Sequence, residues 1–189
     1  MHQAPCALTA LPGSPALVLE PQATFDIALS STQGQLQSAD ERALLDGANR
    51  ILLGEEILQF RFARPLGNGH WRLSGLLRGR GATEHHAAVG HAAGASVIVL
   101  DERLLSLGKE TFEEIAAFAT IGDAEPTFAT LSGRDSTLRP LPPVHPCALR
   151  TASGDPEWRW IRRARGAWRW LDGVETPLAE ERESYRVGL

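Results

Sequence analysis

The sequence predicts a mainly β protein in which an antiparallel β domain is followed by a shorter β segment. Apolar and polar residues alternate with a period of two over residues 55–64 and again over residues 71–76, the pattern of half-buried strands. Residues 65–69, Pro-Leu-Gly-Asn-Gly, consist mostly of turn formers, so the two strands are expected to form an antiparallel hairpin. Farther along, four prolines within residues 138–146 separate this region from the C-terminal segment.

The chain before the hairpin contains an extended start, one strand and one short helix. Residues 1–22 are predicted to be an extended N-terminal connector, because their prolines exclude a helix. Residues 24–30 alternate like a strand, and the first domain is therefore expected over residues 23–138. A capping pattern at residues 38–41 predicts about one turn of helix.

The central hairpin is expected to bury one face of each strand. Leu58, Phe60 and Phe62 share one face of the first strand, because side chains two residues apart point to the same side. Trp71 and Leu73 share a face of the second strand. These five side chains are predicted to form the core of the hairpin.

A run rich in glycine and arginine ends the hairpin. Gly75 lies within the second strand, and Arg78, Gly79, Arg80 and Gly81 follow where no hydrophobic period continues. Glycines here predict a sharp turn that needs unusual backbone dihedrals. We interpret these residues, with Trp71, as a structural motif whose arginines bond nearby carbonyls or acids.

The region after the hairpin contains further β segments and one ambiguous stretch. Residues 87–95 are predicted to be a loop of small residues, and the β-branched run at 96–101 to be a buried strand. Residues 111–121 fit a helical face by the spacing of their large apolar residues, although 118–121 is strand-like. Residues 127–131 predict another short strand.

Composition limits the classes of function. The 189 residues are 43% hydrophobic and 22% charged, which is ordinary for a soluble protein. The net charge of −4 provides no global basic field for nucleic acid or an anionic membrane. Cys6 and Cys147 lack metal-binding spacing and are predicted to be free thiols. No charged leader and no membrane-spanning run are present, so we expect no membrane insertion and a cytoplasmic product.

The histidines near the end of the motif suggest a metal site, but their spacing argues against one. His85, His86 and His91 share no helical face, and no cysteine or second carboxylate completes a ligand set. We expect a solvated loop in which His91 bonds a backbone carbonyl. The sequence also lacks a nucleophile elbow, a phosphate-binding loop and a zinc-protease motif, so we predict neither an enzyme nor a cofactor.

Residues 158–170 contain four tryptophans and five arginines with no acid between them. This composition is found in proteins that bind single-stranded nucleic acid and in membrane-interface segments. It also fits a strand in which one tryptophan fills a core and the arginines pair with acids of residues 175–183. We favour packing, and retain Trp168 and Trp170 as candidates for surface binding.

Two regions of the chain, one around the central hairpin and one beyond the prolines, resemble a known family. Glu-Glu-Ile-Leu-Gln-Phe at 55–60, Trp-Arg-Leu-Ser-Gly-Leu-Leu-Arg-Gly-Arg-Gly-Ala-Thr-Glu at 71–84 and His-Ala-Ala-Gly at 91–94 resemble the C-terminal region of siphophage and gene transfer agent tail-tip (baseplate hub, host-specificity) proteins. That family tends to have two adjacent arginines before its Gly-Thr, whereas this chain has only Arg80 there. Beyond the prolines, Pro-Pro-Val-His, Trp-x-Arg-Arg-x-Arg, Trp-x-x-Gly and Pro-Leu-x-Glu-Glu resemble the start of its fibronectin type III-like module.

The resemblance implies an organisation for the C-terminal part of the chain. A proline-rich linker at 139–146 would lead into an incomplete fibronectin-like module, a partial β-sandwich, at 147–189, and residues 111–121 would be a strand. Such a sandwich needs about seven strands, and this segment has room for only a few. We therefore expect loose docking, high mobility beyond Gly173 and self-association through an exposed strand edge at residues 185–189.

The resemblance also implies a function. The chain would be a structural component of a phage or gene transfer agent tail tip, acting in tail assembly and host attachment. Its partners would be other tail and baseplate proteins, further copies of itself in the particle, and a host glycan or receptor, with no nucleic acid. It would pass from the bacterial cytoplasm to the virion tail. The alternative is a carbohydrate- or receptor-binding β module, in which an exposed tryptophan stacks on a sugar.

Overall fold

A computed structural model of the chain describes residues 4–16, 18–30, 35–104, 115–118, 127–130, 141–163 and 182–185. These residues form a mainly β structure, as predicted, with one six-stranded antiparallel sheet and two smaller two-stranded sheets. The described part contains no helix long and apolar enough to cross a membrane.

The six-stranded sheet is nearly closed. Its strands are β1 (Cys6–Ala7), β2 (Leu19–Ala28), β3 (Arg50–Leu53), β4 (Glu56–Gly67), β5 (His70–Arg80) and β6 (Val97–Val99), in the spatial order β1-β2-β5-β4-β3-β6. Across the gap between β1 and β6, the backbone N–H of Ala7 donates to Ala95 O at 2.8 Å and that of Gly94 donates to Ala7 O at 2.8 Å. The sheet therefore curves around a single apolar core.

The core face of the central hairpin is largely as predicted, with one correction. Leu58, Phe60 and Leu73 are buried, and Trp71 is partly buried against the same core, but Phe62 is 47% exposed. In this part of the hairpin Ala63 takes the inward position, because it lies opposite Leu73.

The strands change their inward-facing side at Gly75. Leu73 and Leu76 are three residues apart, yet both are fully buried, which a regular strand with a period of two does not allow. Gly75 lies between them with a φ of 65°, and the register of β2 against β5 shifts at the same level. The ring of Phe62 packs over Gly75 on the outside, 3.5 Å from where a β-carbon would sit. The reversal at Gly75 therefore places Phe62 outside the core.

Two short helices accompany the sheet. α1 spans Glu41–Leu45 and is capped by the Asp40 carboxylate, which accepts from the N–H of Ala43 at 2.7 Å, confirming the predicted helical turn. α2 spans Glu84–Val89, where the sequence predicted a solvated loop around the histidines. That prediction was wrong for residues 84–89, because Ala87 provides a buried contact and Gly90, with a φ of 76°, ends the helix.

The N-terminal residues are extended, as predicted, but they are not a separate connector. β1 pairs with β2, and the side chains of Ala7 and Leu11 are buried in the core. Residues 11–16 cross the molecule beside α2, and we call them the N-terminal strap. This part of the chain belongs to the first folded unit.

The described residues of the C-terminal half form two antiparallel strand pairs. β7 (Ile115–Phe118) pairs with β8 (Thr127–Thr130), so the strand alternative for residues 111–121 is confirmed where the structure describes them. β9 (Val144–Arg150) pairs with β10 (Pro156–Ile161), which means that the end of the predicted linker is already strand. The proposed domain limits of 23–138 and 147–189 stay predictions, and most of the chain beyond Gly173 lies outside the described residues.

Candidate functional site

The site that the sequence motif builds is centred on Arg78, which is the largest fully buried side chain among the residues that the structure describes. Ile57 pairs with Arg80, and Gln59 pairs with Leu77, so two residues of β5 stand opposite one residue of β4. This β-bulge contains Gly79, whose φ is 63°. A bulge re-aims the side chain beside it. Arg78, predicted to lie in a sharp turn, is instead part of β5 and is directed into the protein.

The carboxylate of Glu56 neutralises Arg78. Arg78 Nε donates to Glu56 Oε1 at 2.7 Å and its Nη2 donates to Oε2 at 2.8 Å, a bidentate pair in which neither side chain is exposed. The backbone N–H of Gly79 adds a third bond to Glu56 Oε1 at 2.9 Å. The arginine thus bonds an acid, as the sequence analysis expected.

The imidazole of His91 completes this buried network. Its Nε2 lies 2.7 Å from Glu56 Oε2. An ionised carboxylate only accepts hydrogen bonds, so Nε2 carries the proton in this arrangement. The sequence analysis expected His91 to bond a backbone carbonyl, and this prediction was wrong because its ring bonds the Glu56 carboxylate. We call Glu56, Arg78 and His91 the buried triad.

The buried triad also fixes the N-terminal strap. Arg78 Nη1 donates to the carbonyl of Pro12 at 3.0 Å, and its Nη2 lies 3.4 Å from the carbonyl of Ala87 in α2. The backbones of Leu11 and His91 exchange two hydrogen bonds of 2.8 Å. One arginine therefore joins the strap, the central hairpin and α2.

Thr83 and the glycines of the motif shape the exit from β5. Gly79 and Gly81 both have positive φ values, 63° and 64°, a backbone conformation that glycine adopts without steric cost, and the sequence analysis expected such dihedrals here. Thr83 Oγ1 donates to Arg80 O at 2.7 Å and accepts from the N–H of Ile57 at 3.0 Å. This buried hydroxyl ties the turn to the start of β4.

Arg80 has a different environment from Arg78. Burial lowers the pKa of the Arg80 guanidinium, the nearby charge of Arg163 lowers it further, and Glu84 acts in the opposite direction. Arg163 donates to the carboxylate of Glu84 in α2, a contact that links the segment after β10 to the first folded unit. Among the predicted pairs of C-terminal arginines with acids, Arg162 Nε lies 3.9 Å from Glu183 Oε2.

The tryptophans of β10 are only partly packed. Trp158 is 45% exposed, whereas Trp160 is half-buried and makes an edge contact with Tyr185 at 4.9 Å between ring centroids. The predicted core role therefore applies to Trp160 in part and not to Trp158. Trp168 and Trp170, predicted as candidates for surface binding, lie outside the described residues.

The described residues contain no cluster of three histidine, cysteine, aspartate or glutamate side chains arranged to hold a metal ion. Both cysteines are free thiols. A cleft of about 230 Å³ lies beside the strap, lined by Leu11, Pro12, Gly13, Glu20, Gln22, Ala23, Thr24 and Arg78. This volume is below the range of about 300–1,000 Å³ that small-molecule sites usually have.

Sequence reasoning missed three polar residues that build the site. Glu56 was assigned only to a strand, and neither Thr83 nor Gln59 was given a role. Gln59 is fully buried and its Nε2 donates to Leu44 O at 2.8 Å and Ala48 O at 2.7 Å. One signal in the sequence could have located Glu56. It begins β4, and Arg78 lies near the end of β5, and in an antiparallel hairpin these two ends lie next to each other.

The comparison with protein families gives one match. Residues 6–98 match the family described as Rcc01698-like, C-terminal. The matched span nearly coincides with the six-stranded sheet, which runs from Cys6 to Val99. No curated protein matches the chain. The chain is therefore similar to this family across the part that contains the buried triad and the N-terminal strap.

Proposed function

We propose that the chain is a structural module of the tail tip, or baseplate hub, of a siphophage or gene transfer agent, acting in tail assembly and host attachment. The support is the resemblance in residues 55–60, 71–84 and 91–94 described above. The observation that carries the proposal is the position of these residues. Glu56, Arg78 and His91 come from the three resembling stretches and form one buried triad.

The residues of the resembling stretches that form the buried triad lie in the interior of the protein, which favours a scaffold role. The four hydrogen bonds to Glu56 leave its charge satisfied without a ligand, so the triad has no need for a substrate. Buried ionic groups contribute more to a unique arrangement than to net stability in some proteins. A part of a multisubunit tail would require such a fixed shape. Its partners would be other baseplate proteins and further copies of this chain.

Fractionation of particles tests the proposal. The chromosomal gene would be given a C-terminal affinity tag, and culture supernatants from induced cells would be separated on a density gradient after nuclease treatment. The tagged chain is expected to sediment with particles that protect DNA, and immunogold labelling is expected at the tail end. Recovery of the chain only among free proteins, while particles form normally, would overturn the proposal.

A second candidate, a carbohydrate- or receptor-binding module, is favoured by one observation. Trp158 is 45% exposed on β10 and provides an aromatic side chain of the kind that stacks on a sugar ring. A glycan array with the full chain tests this function. Binding that is lost in Trp158→Ala and kept in Phe62→Ala would support it, because Phe62 is an exposed aromatic elsewhere. Absence of glycan binding by the wild-type chain would count against it.

A further inference from the structure

The tip of the central hairpin is a turn of two residues, Asn68 and Gly69. Gly67 pairs with His70 across the hairpin, so Asn68 and Gly69 form the loop between β4 and β5. Their φ values are 53° and 76°, and positive values at both central residues are typical of a type I′ turn, for which Asn-Gly is a preferred sequence. Both residues are exposed. The turn therefore presents an asparagine and the peptide bond that follows it to water.

An asparagine followed by a glycine is a chemically reactive pair. The backbone nitrogen of the second residue lies close along the chain to the side-chain Cγ of the asparagine, and its attack on Cγ closes a succinimide ring. Glycine has no β-carbon to hinder this attack, and its backbone adopts dihedral angles that other residues avoid. The sequence Asn68-Gly69 thus places an unhindered backbone nitrogen beside an exposed asparagine.

The other asparagine of the chain provides an internal comparison. The sequence contains two asparagines, Asn49 and Asn68. Asn49 also has a positive φ, 57°, but its Nδ2 donates to Gln37 O at 2.8 Å and its carbonyl accepts from the N–H of Phe60 at 3.2 Å. The residue that follows it is Arg50, which begins β3 and has a bulky side chain. Ring closure at Asn49 would break these bonds, so the fold protects this asparagine.

We propose that Asn68 is a deamidation site, at which the folded chain converts an asparagine into aspartate and isoaspartate. The backbone nitrogen of Gly69 loses its proton to solvent and forms a bond to Asn68 Cγ, and the bond from Cγ to the side-chain nitrogen breaks with release of ammonia. Water then opens the succinimide. Attack at Cγ gives aspartate, whereas attack at the backbone carbonyl carbon gives isoaspartate, in which the chain runs through the β-carbon. The net change is gain of water and loss of ammonia, without oxidation or reduction.

The two products differ in their effect on the hairpin. Aspartate keeps the turn, because Asp-Gly is also a preferred type I′ sequence, and adds one negative charge. Isoaspartate inserts a methylene group into the backbone of a loop that the pairing of Gly67 with His70 limits to two residues. The carbonyl of Gly69 accepts from the N–H of Leu29 at 2.9 Å, a contact between the tip and the residue that follows β2. Isoaspartate is therefore expected to weaken this bond. The inference does not depend on the proposed tail function.

Ageing of the full chain tests the site. The purified chain is incubated at mildly alkaline pH, which promotes loss of the Gly69 backbone proton, and samples taken over time are digested with trypsin. Cleavage after Arg50 and Arg61 places the two asparagines in different peptides, and a sample digested without incubation corrects for conversion during digestion. Mass spectrometry is expected to show progressive loss of the amide at Asn68 while Asn49 stays intact. An intact Asn68, or equal loss at both positions, would overturn the proposal.

Asn68→Gly is the matched control, because Gly-Gly also forms a type I′ turn but has no side-chain amide. Isoaspartyl methyltransferase is expected to label the peptide that contains residue 68 in the aged wild-type chain and not in this variant. Label at this peptide in both chains would show that the reaction lies elsewhere and would overturn the assignment.

Hydrogen exchange measures the effect on the turn. Ion exchange separates the aged wild-type chain from the fresh chain by its added charge. The amide of Leu29 is expected to exchange faster in the isoaspartyl form than in the fresh chain or in Asn68→Asp, which adds the charge without lengthening the backbone. Equal exchange in all three forms would contradict the proposed loss of the bond between Leu29 and Gly69.

Discussion

At the scale of single residues, Arg78 and Glu56 form an ion pair in which both side chains are fully buried. Removing two charges from water carries a desolvation penalty that their mutual attraction repays only with good geometry and further hydrogen bonds. Here both conditions hold, because the pair is bidentate and Gly79, His91 and Pro12 supply three more bonds. The pair is satisfied only when the bulge, the strap and α2 are all in place. It therefore selects one arrangement of the chain.

Removal of one member of the pair should be severely destabilising. Arg78→Met keeps much of the side-chain volume but leaves the Glu56 carboxylate buried and uncompensated, which typically costs about 3–5 kcal/mol in the free energy of unfolding. The matched control is Arg72→Met, which breaks an ion pair with Asp26 of the same 2.7 Å length in which the arginine is 44% exposed. That change should cost at most about 1 kcal/mol. Urea denaturation of both variants measures the difference, and equal losses would contradict the assignment.

The Asp26–Arg72 pair should make stability depend on pH in acid. The hydrogen bond from Arg72 lowers the pKa of Asp26, assisted by the charges of Arg72, Arg64 and His70, while burial acts in the opposite direction. A carboxyl whose pKa is lower in the folded state stabilises the protein above its unfolded pKa, about 3.9. This contribution is lost as the pH falls through the lower folded pKa.

We therefore expect Asp26→Asn to be less stable than the wild-type chain at pH 7, by no more than about 1 kcal/mol for a pair at the surface. The difference should shrink below about pH 4 and also shrink in 1 M salt, which screens exposed charges. Urea titrations from pH 2 to pH 7, at low and high salt, measure it. A difference that is constant across this range would show that the carboxylate charge is not responsible.

At the scale of elements, the sequence predicted strands better than it predicted their irregularities. The period of two located the central hairpin, the strand near Phe25 and the run that became β6, because half-buried strands need alternating side chains. The same period wrongly assigned Phe62 to the core. The strands reverse their inward-facing side at Gly75, and this reversal accompanies a register shift against β2, a strand distant in sequence, so the local pattern does not reveal it. Arg78 was placed in a turn for a similar reason: a buried arginine is recognisable only when its acid and its carbonyl partners are known.

Gly79 is the element-scale residue that should tolerate substitution least. A β-carbon there would lie 2.7 Å from the side chain of Ala16 and 2.8 Å from the backbone of Glu84, in addition to the strain of a φ of 63°. Gly67 is a matched control, because its φ of 92° is equally unusual but nothing lies within 4 Å. Gly67→Ala should cost about 1–2 kcal/mol from backbone strain alone. Gly79→Ala should lower the free energy of unfolding by more than Gly67→Ala, as measured by thermal or urea unfolding. A smaller loss of stability than for Gly67→Ala would show that the strap and α2 shift to make room for the added methyl group.

At the scale of the whole molecule, the N-terminal residues close the first folded unit. All strands of the six-stranded sheet lie between Cys6 and Val99, and β1 lies at the gap beside β6. The interpretation of residues 1–22 as a connector followed from their prolines, which correctly exclude a helix but do not indicate whether an extended segment is buried. The N-terminal residues are buried because the sheet curves around them and because the carbonyl of Pro12 accepts a hydrogen bond from Arg78. Neither feature has a local sequence signal.

Two truncated chains test this closure. A fragment of residues 1–104 contains the complete sheet and is expected to unfold cooperatively with the stability that the same region has in the full chain. A fragment of residues 18–104 loses the buried Ala7 and Leu11 and removes the carbonyl acceptor of Arg78. Burial of one leucine contributes about 1.5–3 kcal/mol and a hydrogen bond to a charged group about 1.5–3 kcal/mol, so the shorter fragment should lose a large part of a typical domain stability of about 5–15 kcal/mol. Urea unfolding followed by tryptophan fluorescence measures both. If residues 18–104 were as stable as residues 1–104, the strap would be an accessory segment and the sheet would hold its shape without it.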